Sequence, residues 1–177
     1  MNQSAPAPRA ADAQWDAGDL GCGDLVLGLR LRMEAMRPGQ LLRLTATDPG
    51  ARADIPAWCR MTGHTLIAPV RPTLKHRYPL TPIDRYLSWR RPDGTHLDPW
   101  LRTHERLGAD IVKVTSRSVV VTGTVAEWEG WTEMALPASG AYVVAGALAP
   151  IQIDRERDEG VYVEPNVWMV HSPAQAS

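Results

Sequence analysis

The sequence predicts a mixed α/β (α+β) fold in two successive parts, and three observations carry that prediction. Apolar residues between 13 and 70 switch between period-two and helical spacing, in the order strand, helix, strand, helix, strand. Beyond residue 97 a single capped helix is followed by short β-branched runs separated by turn residues. The chain has 177 residues, of which 44% are hydrophobic; this supports a sizeable core in one medium domain or two small ones.

Ala13 to Ala17 forms a short first strand, which Gly18 and Gly21 break with a tight turn at Cys22. Asp24 is positioned to cap the following helix. Leu25, Val26, Leu29, Met33 and Met36 make its apolar face, with Arg30, Arg32, Glu34 and Arg37 largely opposite. Pro38-Gly39 ends it. Leu42, Leu44 and Ala46 alternate with Arg43, Thr45 and Thr47 in a half-buried strand, and Asp48-Pro49-Gly50 turns the chain. A second helix runs from about Ala51 to Thr62, with Pro56 tolerated in its first turns and Trp58, Cys59 and Thr62 facing inward. Gly63 closes it, and His64 to Val70 is the next strand. Asp98 caps a helix with Pro99 at its first position and Gly108 at its end, placing Trp100, Leu101, His104 and Leu107 on one face. Strands follow at Ile111–Val114, Ser118–Val121, Ala141–Val144, Ala149–Ile153, Val161–Val163 and Val167–Val170, with a short helix or turn around Glu127 to Trp131.

Formal charge is −1, so the whole chain offers no electrostatic case for nucleic acid or membrane binding. Basic residues are 17 Arg against two Lys, a bias read mainly as codon composition. Two cysteines cannot make a disulfide framework and point to a reducing compartment. Met1 to Ala13 lacks an apolar segment with a basic flank, so it does not read as a signal peptide, and no run reaches the ~20 apolar residues of a membrane span. Loose tails over 1–12 and 172–177 and a cytoplasmic location are expected.

Cys22 is the first candidate for covalent chemistry. A thiol at a helix start faces unpaired N–H groups and the positive end of the helix dipole, which favour thiolate. A thiolate attacks a sulfur donor, holds the sulfur as a persulfide and passes it on. Gly21 and Gly23 shape the turn, and the Asp24 charge opposes the thiolate unless capping occupies it. The alternative is a small buried hydrophobe without a chemical role. Cys59, beside Trp58 on an apolar helix face, reads as core, with a resolving cysteine as the lesser alternative.

Further candidates lie in the second part. Arg71, Arg77, Arg90 and Arg91, with Lys75, His76 and Arg85 between them, suit an anion, an RNA backbone or an acidic partner. The competing reading is a solvated loop marked by Pro72, Pro79 and Pro82. His104 and Glu164 are acid–base candidates, against a satisfied helix-face histidine and an edge or turn residue beside Pro165. Asn166 and His171 share that end strand. Trp128, Trp131 and Trp168 line a pocket or pack the core. His64, His96 and His171 do not stand at metal-ligand spacing with the cysteines, so no metal is expected.

Several short motifs in order give the first part a family resemblance. These are Leu20-Gly21-Cys22, Met36-Arg37-Pro38-Gly39-Gln40, Asp48-Pro49-Gly50, Asp54-Ile55-Pro56-Ala57-Trp58-Cys59 and Gly63-His64. Together they resemble the TusA/SirA sulfur-carrier family. The resemblance implies a two-layer βαβαββ sandwich over 13–91, with two helices on a four-stranded sheet. It makes Tyr86 to Arg91 the last strand and Cys22 the persulfide carrier. The family's Cys-Pro-x-Pro signature is replaced by Cys22-Gly23-Asp24-Leu25, without the prolines that preorganise the helix start. Residues 92–171 resemble the C-terminal part of GNAT-type acetyltransferases, through Pro99 to Val114 and Val161 to Trp168. No glycine-rich pyrophosphate loop precedes a helix, so neither acetyl-CoA nor another cofactor is expected. The implied partners are a cysteine desulfurase or other sulfur donor and a sulfur acceptor. Direct nucleic acid or membrane binding is not expected, and an exposed sheet edge suits a homodimer. The alternative function is a non-catalytic binding or scaffold protein with a degenerate acetyltransferase-like module.

Overall fold

The structure, a computed structural model, describes residues 10–172. Of the two expected tails, residues 1–9 and 173–177 lie outside the described residues. The described chain divides into two compact units: Leu66 closes the first, Ile67 opens the second, the second ends at Val170, and His171 counts with the first. The division lies earlier than the 91/92 boundary that the sequence resemblance implies.

The first unit comprises β1 (Ala13–Asp16), α1 (Cys22–Glu34), β2 (Leu42–Thr45) and α2 (Ala51–Thr62). β1 and β2 pair in parallel, Ala13 opposite Leu42 and Asp16 opposite Thr45. Parallel neighbours need a crossover, and α1 supplies it. Leu25 and Leu29 of α1 are buried, as are Ala51, Trp58 and Cys59 of α2. They close around Trp15, Leu44 and Ile55. Gly28 lets α1 lie on the Trp15 indole, since a Cβ there would sit 2.7 Å from the ring. Arg32 covers the same ring at 3.9 Å from its centroid, a cation–π contact. Pro56 stands within α2, where it removes one backbone donor. Gly63 ends α2 at φ 77°, the left-handed conformation that only glycine adopts without strain.

Two expectations from the family resemblance need revision. The sheet of this unit is the β1–β2 pair, not four strands, because β3 (Leu66–Val70) pairs with a strand of the second unit's sheet. Tyr86 to Arg91 is not a strand: Ile83–Leu87 is helix α3, with Pro82 just before it. Ile83 and Tyr86, three residues apart, both point into the core, and helical spacing achieves that where strand alternation would separate them.

The second unit continues from β3 through a 3₁₀ turn (Lys75–Arg77) to α3, then α4 (Pro99–Arg106), β4 (Ala109–Gly123) and α5 (Val125–Thr132). β5 (Gly140–Tyr142), β6 (Ile151–Asp154) and β7 (Glu159–His171) complete it. Its five-stranded sheet has the order β3-β7-β6-β5, with β4 also on β7. The paired strand expectations at 111–121 merge into β4, and those at 161–170 into β7. Pro165 does not break β7: it lies beyond the register with β6, which ends at Val161, and its fixed φ suits an extended chain. The module also holds α5 besides α4, closed at its start by a capping box between Thr124 and Glu127.

A buried polar cluster anchors α4. The Asp98 carboxylate accepts from the N–H groups of Trp100 (2.9 Å), Leu101 (3.2 Å) and Leu74 (2.8 Å), and from the Tyr86 hydroxyl (2.7 Å). Burial pushes this carboxyl up, but the hydrogen bonds outweigh it and hold it below the ordinary carboxylate range. The Asp98 N–H donates to His96 Nδ1 at 3.2 Å, which places the ring proton on Nε2. Burial, followed by the Arg90 charge, holds His96 below the usual imidazole value of 6.5.

Both shifts have the same sign for stability. A lowered folded-state pKa means the unfolded chain binds more protons as pH falls. The His96 contribution is complete above 6.5 and is lost as pH drops through its folded value; Asp98 repeats this below 3.8. Thermal stability should therefore fall as pH drops from about 7.5 to about 5, and His96→Gln should flatten that slope. His171, lowered by burial and Arg60, titrates in the same sense and accounts for the residual slope.

Candidate functional site

The site follows from the parallel pairing of β1 and β2. Both strand-to-helix connections leave the same edge, the carboxyl ends of the strands, where open α/β units place their ligand sites. The Thr47 N–H donates to the Gly18 carbonyl at 2.7 Å and ties the two connections together. Ala17, Leu25 and Ala51 share one buried cluster, so the first turns of α1 and α2 pack side by side.

At this edge Cys22 is the first residue of α1 and is exposed. The cap is Gly21, extended at φ −66° and ψ 166°, not Asp24. The chain is already helical at Cys22, so Asp24 lies inside the first turn, and α1 has no side-chain cap. Gly23 is likewise helical rather than part of a flexible turn, and a Cβ added there would meet nothing within 4 Å.

The acids that govern Cys22 come from the other connection. Asp48 Oδ1 accepts from the Gly50 N–H at 2.9 Å, a side-chain turn that launches α2. Asp54 stands in the first turn of α2, where the dipole favours a carboxylate. A Cβ on Gly50 would lie 2.9 Å from Asp48 Oδ1 and 3.2 Å from Asp54 Oδ2, so the two carboxylates flank this glycine. Hydrogen bonding to Asp54, then its charge, then partial desolvation and lastly the Asp48 charge push the Cys22 thiol above its ordinary pKa. The helix start alone would favour thiolate; the facing carboxylates reverse the balance. Sequence reading saw Asp48 and Asp54 only as turn and helix residues. The signal that would have found them is the βαβα order, which stacks the two connections.

Cys59 is buried against Leu29 and Trp58, and burial pushes its thiol up, so it is a core residue. His64 stacks on Trp58 at 4.9 Å. Among the described residues no group of three or more His, Cys, Asp or Glu could hold a metal ion. None of the described helices is long and apolar enough to cross a membrane.

The second unit disperses its candidates. Arg71 pairs with Glu164 at 3.0 Å and donates to the Gly146 carbonyl at 2.8 Å. Arg90 folds back onto the Leu87 carbonyl at 2.8 Å, and Arg91 lies 3.9 Å from Asp93. Arg77 is exposed, whereas Lys75 is buried and donates to the carbonyls of Tyr78 (2.7 Å) and Leu148 (2.6 Å). Three of the four arginines are thus engaged within the fold. Glu164 also accepts from the Tyr162 hydroxyl at 2.8 Å, and burial together with that carboxylate pushes Tyr162 up to about 12. His104 packs edge-on against Trp100 at 4.8 Å. An open groove of about 400 Å³ runs past Lys75, Pro82, Leu148 and Pro165, but its lining includes neither His104 nor Glu164. Trp128 and Trp131 pack edge-to-face at 5.1 Å, with Trp128 in the core.

An exposed thiol on the first turn of a helix, at the carboxyl edge of a parallel βαβα unit, defines a thiol-presenting α+β domain. Residues 14–76 match the family described as Sulfurtransferase TusA. The sulfur carrier protein TusA of Pseudomonas aeruginosa PAO1 is 41% identical over 58 residues, covering 33% of this chain and 73% of that protein. That of Pseudomonas syringae pv. syringae is 42% identical over 57 residues, covering 32% and 68%. The chain belongs to the TusA sulfurtransferase family. Its C-terminal part matches the arginine N-acetyltransferase avaD of Aspergillus versicolor, 36% identical over 124 residues and 60% of this chain. The chain spans only 43% of that relative's length. No solved structure matches the chain.

Proposed function

We propose that this chain is a sulfur relay in which Cys22 carries sulfane sulfur as a persulfide. The exposure of Cys22 at the start of α1, in a domain of the TusA family, carries this reading. A donor such as a cysteine desulfurase presents a persulfide. The Cys22 thiol gives up its proton, and its sulfur attacks the donor's terminal sulfur. A new S–S bond forms on Cys22 as the donor's S–S bond breaks, and the departing donor thiolate takes a proton. Transfer to an acceptor repeats the exchange, with no net oxidation. Residues 13–91 are the carrier part, and residues 92–171 serve acceptor recognition, alone or in a homodimer. The cytoplasm is the setting in which two free thiols and this exchange chemistry persist.

Incubation with a desulfurase and cysteine, read by intact mass, should add one sulfur to the wild-type chain and none to Cys22→Ala. No adduct under conditions that load a control carrier would refute the relay. The avaD match favours a second reading, a binding module derived from an acetyltransferase. A rise in melting temperature with acetyl-CoA would support cofactor binding, because a ligand selective for the native state must raise it.

A further inference from the structure

We propose that the groove of the second unit binds an apolar monocarboxylate, with the ligand's carboxylate on the Lys75 ammonium. The inference goes beyond the relay reading and does not depend on Cys22.

The buried lysine is the starting point. Lys75 is 1% exposed, and no carboxylate pairs with it among the described residues. A buried ammonium without a counter-charge is costly, because water no longer solvates it. Burial holds Lys75 below the usual lysine range, and no neighbouring carboxylate offsets that. An ammonium has three donors. Two go to the carbonyls of Tyr78 at 2.7 Å and Leu148 at 2.6 Å. The Tyr86 ring centroid stands 6.0 Å away, at the outer limit of cation–π attraction. One donor is left over, and Lys75 lines the groove of about 400 Å³.

The rest of the lining sets the class of ligand. Pro82, Ile83, Leu148, Pro150, Val163 and Pro165 make an apolar wall, and the volume falls in the range of small-molecule sites. Thr81 and Ser116 also line the groove, and neither hydroxyl has a hydrogen-bond partner among the described residues. Both can donate to a bound carboxylate. Among the described residues Lys75 and Asp84 are the only charged members of the lining. Asp84 is exposed, so water and salt screen it, whereas the buried Lys75 charge acts at low dielectric. One negative charge on a ligand is therefore matched, and a second would meet Asp84 with no cation to pair it. That selects a monocarboxylate over a dicarboxylate or a phosphate ester.

The test titrates the full chain with cyclohexanecarboxylate and with its neutral isostere cyclohexanecarboxamide, followed by amide NMR. Saturable shifts are expected at Leu148 and Ala149. The carboxylate should bind about tenfold or more tighter than the carboxamide, the margin of a charge-assisted hydrogen bond. Lys75→Met keeps the volume and should abolish that preference. Asp84→Asn removes a repulsive charge at an exposed position and should tighten the carboxylate about twofold. Ser116→Trp fills the groove from an exposed position on β4 and should remove binding of both probes. Absence of saturable shifts would overturn the proposal, as would equal affinity for the two probes or a preference that survives in Lys75→Met. Spectral dispersion and melting temperature check the fold of each variant. If Lys75→Met unfolds, the other two decide: no tightening in Asp84→Asn, or binding retained in Ser116→Trp, overturns the assignment.

Discussion

Asp98→Ala should destabilise the second unit by about 3–5 kcal/mol, the largest effect expected of any single polar substitution in the chain. The carboxylate is fully buried and serves three backbone N–H groups and the Tyr86 hydroxyl. Loss of the α4 cap alone costs about 1 kcal/mol. The rest arises because the Tyr86 hydroxyl and the Leu74 N–H lose their buried acceptor, each at roughly 1–3 kcal/mol. Tyr86→Phe removes one donor and leaves the cap, so it should cost only about 1–2 kcal/mol. Denaturant unfolding, with hydrogen exchange at α4 and β4 to locate the loss, measures both. A loss under about 1 kcal/mol in Asp98→Ala would mean that the carboxylate caps α4 and does nothing more.

Gly160→Ala should cost about 3 kcal/mol, at the upper end for overpacking a core. Gly160 is in β7 opposite Ile153, and the Trp128 indole of α5 lies directly on its Cα. A Cβ would overlap both Cδ1 and Nε1 of that ring and crowd Ile153. The β7 backbone is held in register against β6 at this residue, so relief must come from the ring. Combining Gly160→Ala with Trp128→Phe should therefore recover part of the loss, a non-additivity that a double-mutant cycle detects. Additive losses would show that the strain sits in the β7 backbone instead. The same device recurs at Gly28 under Trp15 and at Gly123 under Trp131. Three of the seven tryptophans thus find room where glycine yields a flat surface to a large ring.

Stability resides largely in buried clusters such as that around Asp98, whereas Cys22 sits at an exposed helix start whose acids neither cap α1 nor fill a core. Its substitution should therefore change reactivity with little effect on folding.

Local order was legible wherever a residue's role depends on its near neighbours. The spacing of Leu25, Leu29, Trp58 and Cys59, the cap at Asp98 with Pro99 and the stop at Gly63 all follow from helical period and terminus chemistry, and the structure places them accordingly. Cys22 was found the same way, from a turn running into an amphipathic segment and the ordered motifs around it. Partners distant in sequence were not legible. Nothing local distinguishes Asp24, expected to cap the helix beside the thiol, from Asp54, whose carboxylate pushes that thiol up from 32 residues away in sequence. Tyr86 to Arg91 fitted a strand by family order, yet burial of both Ile83 and Tyr86 made that segment helical. The order of helices and strands through residue 70 and the place of Cys22 at the head of α1 follow from the sequence alone, because periodicity and capping act within a few residues, whereas the exposure of that thiol does not. The folded arrangement alone takes β3 out of the first sheet, gathers five donors on Asp98 and lets a carboxylate from α2 push the Cys22 thiol up. Those depend on which surfaces meet after folding, and charge, hydrogen bonding and burial act through that proximity.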